Sequence, residues 1–188
     1  MKKPNRNQED LALLKQIAAG DEQAFEELYD VYHVPLYNYL LRLTHAVNIS
    51  ENLLQETYLT IWKAAQGFRA EAQVKNWMYS IAHHKAVSWL RKTRKDNRPR
   101  EVPLTYEHVQ EYQTVDPEEV VLQNDRGDAL QEALDYLTPK HRAVIELAYV
   151  HEFSYEEIAR IVDCPLGTVK SRINYAAQQL GGVLKKLT

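Results

Sequence analysis

Apolar residues recur along nearly the whole chain at intervals of three and four, the repeat of an α-helix packed on one face. No segment shows the period-two alternation of a half-buried strand. Leu11 to Ala19 reads as a first short helix, ended by Gly20. Asp21 caps a second, with Ala24, Phe25, Leu28, Tyr29 and Tyr32 on one face. Pro35 is expected to kink or restart it before Leu36, Tyr39, Leu40 and Leu43 carry the stripe to about Thr44. Ser50 is expected to cap a third helix through Leu54, Tyr58, Ile61 and Trp62, ending near Gly67. A fourth runs from about Val74 to Lys95. On it, Val74, Trp77, Met78, Ile81, Ala82 and Trp89 share a face, and Asn76, Tyr79 and His83 are expected to point the other way. Lys85 falls in the middle of the apolar face and reads as a snorkelling side chain.

Residues 96–126 break the pattern. Pro99, Pro103 and Pro117 fall among scattered acids, which reads as a linker. A second helical block follows, from Asp128 to Leu137 and then from the start signal Thr138-Pro139 to about His151. The fold class is therefore all-α. Two helical domains, 1–95 and 127–188, are joined by a flexible linker at 96–126.

The end of the chain is the most specific part. Ser154 and Glu157 have capping-box spacing, so a short helix starts there, with Ile158, Ile161 and Val162 facing inward and Ala159 small at a close crossing. Asp163-Cys164-Pro165 turns the chain. A second helix starts at Gly167 and is expected to stop at Leu180, before Gly181-Gly182. Val169 and Ile173 pin it to the core, leaving Thr168, Lys170, Ser171 and Arg172 outward in its first turns. This is a helix-turn-helix pattern, whose second helix can enter a DNA major groove. A helical hairpin that binds only protein fits the same pattern.

Charge complicates a simple DNA-binding reading. The 188-residue chain has a net charge of −3. Residues 91–100 hold six Lys/Arg against Asp96, and residues 101–127 hold seven acids against Arg126. Such runs cancel at long range, so free protein is expected to bind duplex DNA weakly. Phe68-Arg69 through Trp77 and Tyr79 places rings beside cations, which suits unstacked bases and also suits an ordinary core. No run of eighteen apolar residues and no signal peptide are visible. One cysteine, Cys164, allows no internal disulfide. A cytoplasmic protein is expected. The seven histidines lack metal-ligand spacing, and no phosphate loop or nucleophile motif occurs, so no metal, no cofactor and no enzyme activity are expected.

Taken together, the residues resemble the extracytoplasmic-function (ECF) sigma factors of the bacterial sigma-70 family. The carriers are Asp21-Glu22-Gln23-Ala24-Phe25-Glu26-Glu27-Leu28-Tyr29, Leu54-Gln55-Glu56-Thr57-Tyr58-Leu59 with Trp62, and Trp77-Met78 with Ile81-Ala82. In the second block they are Glu157-Ile158-Ala159 and Gly167-Thr168-Val169-Lys170-Ser171-Arg172. The resemblance implies a subunit that directs RNA polymerase to promoters, melts DNA and starts transcription. It implies docking of Asn52, Leu53, Gln55, Glu56, Leu59 and Trp62 on the β′ clamp helices. It implies contact with the −10 element through Phe68, Arg69, Asn76, Trp77, Tyr79, His83, His84 and Arg91, with a flipped base held around Arg69 to Gln73. The basic run 91–100 would follow the DNA backbone. Thr168, Lys170, Ser171 and Arg172 would read the −35 element. The implied partners are core RNA polymerase (β′ clamp helices and β flap), promoter DNA and an anti-sigma factor.

The chain departs from the family pattern at Ser50-Glu51-Asn52, at His83-His84, at Asp163 where glycine is common, and at Tyr175-Ala176-Ala177 where arginines are usual. Two other readings stay open on the residues alone. One is a stand-alone helix-turn-helix regulator with a sensing N-terminal domain, and the other is an interaction module that no longer reads DNA.

Overall fold

The structure, a computed structural model, describes residues 6–95, 134 and 137–187. The chain divides into two compact units, one within residues 1–102 and the other within 103–188. Among the described residues all regular structure is helical. No helix among them is long and apolar enough to cross a membrane. The tether at 96–126 and most of the helix expected over 128–137 lie outside the described residues.

The first unit packs four helices: α1 (Arg6–Ala18), α2 (Glu22–Thr44), α3 (Val47–Ala64, followed by a 3₁₀ turn at Ala65–Gly67) and α4 (Val74–Lys95). Helix α1 starts earlier than its apolar pattern suggests. Its first turn instead carries Arg6, which pairs with the buried Asp10 at 2.9 Å and lies over the Tyr32 ring. Asp21 caps α2 as expected, its carboxylate accepting from the amides of Gln23 and Ala24.

Pro35 does not restart α2; the helix runs through it. Proline leaves the carbonyl four residues back without an amide partner. That carbonyl belongs to Val31, an exposed residue of α2. Ser50 does not cap α3 either. The helix begins at Val47 behind Ala46, which has no side-chain cap. Ser50 is buried in the first turn, where its hydroxyl donates to the Ala46 carbonyl at 2.8 Å and lies 2.8 Å from the Thr44 hydroxyl.

The first core is built from Leu14, Leu28, Leu36, Leu40, Leu54, Ile61 and Met78, with Tyr37, Tyr39 and Tyr79. Helix α4 is rotated relative to its expected face. Val74, Met78, Ala82 and Ala86 line the buried stripe, with Asn76, Tyr79 and His83 buried beside it. Trp77, Ile81 and Trp89 are half-buried. The polar tips account for the error. Tyr39 of α2 brings its hydroxyl 2.8 Å from His83 Nδ1, and its ring meets Tyr79 at 5.5 Å, so aromatic bodies are buried while the polar atom is satisfied.

In the second unit, α5 (Pro139–Ile145) continues through a π turn (Glu146–Val150). Then follow α6 (Tyr155–Ile161) and α7 (Leu166–Leu187). Val144, Leu147, Phe153, Ile158, Ile161, Val169, Ile173 and Ala176 form its core. The buried Arg142 guanidinium donates to the carbonyls of Leu134 and Leu137, fixing the chain ahead of α5. Helix α7 does not stop before Gly181-Gly182. Two glycines cost about 1 kcal/mol each in a helix but do not forbid it. The apolar repeat Leu180, Val183, Leu184 and Leu187 carries the period onward.

Candidate nucleic-acid interface

The helix-turn-helix is built by capping and by one left-handed residue. Ser154 and Glu157 form the reciprocal capping box: the Ser154 amide donates to Glu157 Oε2 at 2.9 Å and the Glu157 amide to Ser154 Oγ at 3.3 Å. Asp163 takes φ 49°, a conformation that Asp adopts more readily than most residues. The Cys164 amide then bonds the Ala159 carbonyl at 3.1 Å, closing the turn. Pro165 caps the next helix, its carbonyl accepting from Thr168 and Val169.

Burial of Val169 and Ile173 fixes which side of α7 faces outward. Lys170 and Ser171 are exposed, and Thr168 and Arg172 are half-exposed. The Arg172 guanidinium reaches back to the Cys164 thiol at 3.7 Å. Tyr175, one turn further, is exposed and lies against the His141 ring at 4.5 Å. His141 is held below the usual histidine range, first by burial and then by the nearby Arg172 and Lys140 cations. Tyr175 therefore belongs to the same outward surface. Its departure from the arginine usual in such motifs was the only signal in the sequence.

In the first unit, α3 presents Asn52, Gln55, Glu56 and Leu59 outward, and Leu59 is 58% exposed. Trp62 is half-buried, edge-on to Phe25 at 5.2 Å. Leu53 is buried and lines a cleft. That open cleft, about 370 Å³, lies between α3 and α4 and is lined by Leu53, Glu56, His84, Lys85, Trp89 and Lys92, with Ser88. It brings residues expected to dock polymerase, Leu53 and Glu56, beside two expected to meet DNA, His84 and Lys92. Lys85 does not simply snorkel. It reaches Glu56 at 3.4 Å.

The segment from Phe68 to Gln73 joins the 3₁₀ turn to α4. Phe68 and Trp77 meet at 4.9 Å, and Ala70 takes φ 56° between them. Arg69, His84 and Arg91 are exposed. Asn76, Tyr79 and His83 are not brought to this surface: all three are buried, Tyr79 and His83 against Tyr39 of α2. Among the described residues no group of three His, Cys, Asp or Glu is arranged to hold a metal ion.

Comparison with known proteins gives matches in both units. The sigma-70 region 2 family matches residues 28–96, and the sigma-70 region 4 family matches residues 127–180. The chain is 33% identical over 183 residues to the ECF RNA polymerase sigma factor SigK of Mycobacterium tuberculosis, covering 96% of this chain and 97% of that protein. It is 28% identical over 179 residues to the ECF RNA polymerase sigma factor SigW of Bacillus subtilis, covering 93% and 96%. Among solved structures it is similar to the sigma factor RpoE of Bartonella quintana, crystallised with the anti-sigma factor NepR. That match has a TM-score of 0.67 and 25% identity, and covers 86% of this chain and 96% of that one. The fold is also that of CnrH, determined with the cytosolic domain of CnrY, at TM-score 0.68 and 19% identity over 96% and 99% of the two chains.

Proposed function

The chain belongs to the ECF sigma factors of the sigma-70 family, and on that premise we propose how its two units divide the work of promoter recognition. It directs core RNA polymerase to promoters and starts transcription there. Residues 1–95 form the domain that docks on polymerase and opens the −10 element, 96–126 the tether, and 127–188 the domain that reads the −35 element.

Docking falls to the outward side of α3. Asn52, Gln55, Glu56, Leu59 and the half-buried Trp62 offer a mixed surface, one exposed leucine among amide and carboxylate groups beside an aromatic ring. Leu53 contributes from the lining of the cleft. The β′ clamp helices are the occupant this reading assigns. Exposed Tyr149 and Val150 at the π turn suit the β flap in the second unit.

Strand opening falls to the loop 68–73 and the solvent side of α4. Phe68 and Trp77 supply ring faces, and Arg69, His84 and Arg91 supply cations and donors for an unstacked strand. Asn76, Tyr79 and His83 act from inside, holding α4 in place rather than touching bases. In the second unit Lys170 and Ser171 reach base edges and phosphates directly, Arg172 from its position against Cys164, and Thr168 from the helix start.

The net charge of −3 fits this division, because the polymerase supplies affinity that the free chain lacks. An anti-sigma factor that covers the α3 surface would hold the protein inactive; the Bartonella relative is one that forms a complex with an anti-sigma factor. The protein works in the cytoplasm, where promoter DNA and polymerase meet.

The observation that carries this reading is the placement of Lys170 and Ser171, outward on the first turns of α7. Run-off transcription with purified core polymerase on a genomic fragment library tests it. The expected result is a small set of transcripts that appear only when the protein is added and that share a −35 and −10 sequence. No added transcripts would refute it.

A further inference from the structure

The loop that follows the docking helix is tied at both ends to α1. At one end, the Gln66 side-chain amide donates to the Ala18 carbonyl at 3.2 Å, at the C-terminus of α1. At the other, the Val74 amide donates to Asn7 Oδ1 at 3.1 Å, in the first turn of α1. Val74 is the first residue of α4, and its amide is one of those a helix start leaves without an internal partner. The cap is therefore supplied from another helix, across 67 positions of sequence.

The geometry turns α1 into a splint. Asn7 and Ala18 are eleven helical steps apart, about 16 Å of rise. The eight steps of chain from Gln66 to Val74 could reach about 27 Å if extended. Their ends are held nearer than that, so the loop bows, and the bow is where Ala70 takes its left-handed φ of 56°. The bow places Arg69 in solvent and brings Phe68 onto Trp77.

We propose that Asn7 is a positioning residue for −10 recognition, fixing the bowed loop 68–73 through its bond to the Val74 amide. The inference rests on the reading of that loop as the −10 contact. Asn7 lies outside the family match at 28–96, and no feature of the sequence connects it with the loop.

The test uses the full chain assembled with core polymerase, on a promoter fragment recovered by run-off transcription and on the same fragment with one −10 base substituted. Strand opening is read by permanganate reactivity of −10 thymines, alongside core affinity and thermal melting of the free protein. Asn7→Ala is expected to reduce both opening and discrimination between the two fragments by about fivefold, roughly what one capping hydrogen bond is worth. Core affinity should be unchanged. Asn7→Asp, which keeps an acceptor for the Val74 amide, should restore both. A merely structural role would lower melting temperature and core affinity while leaving discrimination intact, and that result overturns the proposal. Equal behaviour of Asn7→Ala and Asn7→Asp overturns it too. Arg69→Ala separates the two levels. If it impairs opening and Asn7→Ala does not, the loop reading stands and the splint falls. If neither variant affects opening, the loop reading itself falls and the splint with it.

Discussion

Lys85 of α4 reaches across to Glu56 of α3, its ammonium 3.4 Å from the carboxylate. The pair lines the open cleft between the helix assigned to polymerase docking and the helix assigned to strand opening. Glu56 is 59% exposed in its side chain, so the pair stabilises the fold by at most about 1 kcal/mol. Glu56→Gln should therefore leave thermal melting of the free protein nearly unchanged. If Glu56 meets a cation on the clamp helices, affinity for core should fall by about tenfold, as for loss of a charge pair in an interface. Calorimetry of the free protein and titration of labelled core measure the two effects separately.

Lys170→Ala and Arg172→Ala test the second unit. Loss of a base contact costs about 1–3 kcal/mol, and loss of a phosphate contact lowers the salt dependence of binding by about one unit of log–log slope. Each variant should reduce promoter-directed transcription while core affinity stays at the wild-type value. Transcription at the wild-type level from both variants would favour an interaction module that does not read DNA. Cys164→Ser, which keeps an acceptor near the Arg172 guanidinium, should resemble the wild type more closely than Cys164→Ala does.

The capping box gives a stability prediction confined to the second unit. Ser154→Ala removes the acceptor for the Glu157 amide and should cost about 1 kcal/mol. Denaturant titration should show this loss without any change in melting of the first unit.

Asp10 gives a pH prediction for the first unit. Burial pushes its carboxyl above the ordinary range, and this outweighs the hydrogen bond from Tyr32 and the Arg6 cation, which act in the opposite direction. The folded state therefore holds the proton to higher pH than the unfolded chain does. The associated stability is fully present below the unfolded value of about 3.9 and is lost as pH rises through the folded value. Asp10→Asn should flatten the stability profile in that window. An unchanged profile in the variant would show that another group is responsible.

The sequence carried the helices because apolar period and caps are local signals. Asp21 and the Ser154–Glu157 box stand where their spacing placed them. What it did not carry were features set by distant partners. Ser50 looked like a cap until Thr44 and Ala46 drew it inside the helix. His83 and Tyr79 looked outward because their polar tips mask large apolar bodies, and Tyr39 from α2 decides otherwise. Lys85 appeared misplaced on an apolar face because its partner lies 29 positions away. In the second unit, the outward placement of Thr168, Lys170, Ser171 and Arg172 was legible from Val169 and Ile173 alone. The bond between Asn7 and Val74 has no sequence signature.

On this reading the chain works only as part of a larger polymerase. The most direct test is to mix purified protein with core RNA polymerase and resolve the mixture by size-exclusion chromatography. A one-to-one complex is predicted, and it should be lost when Leu59 and Glu56 are replaced together. Elution of the protein apart from core at micromolar concentration would contradict the account.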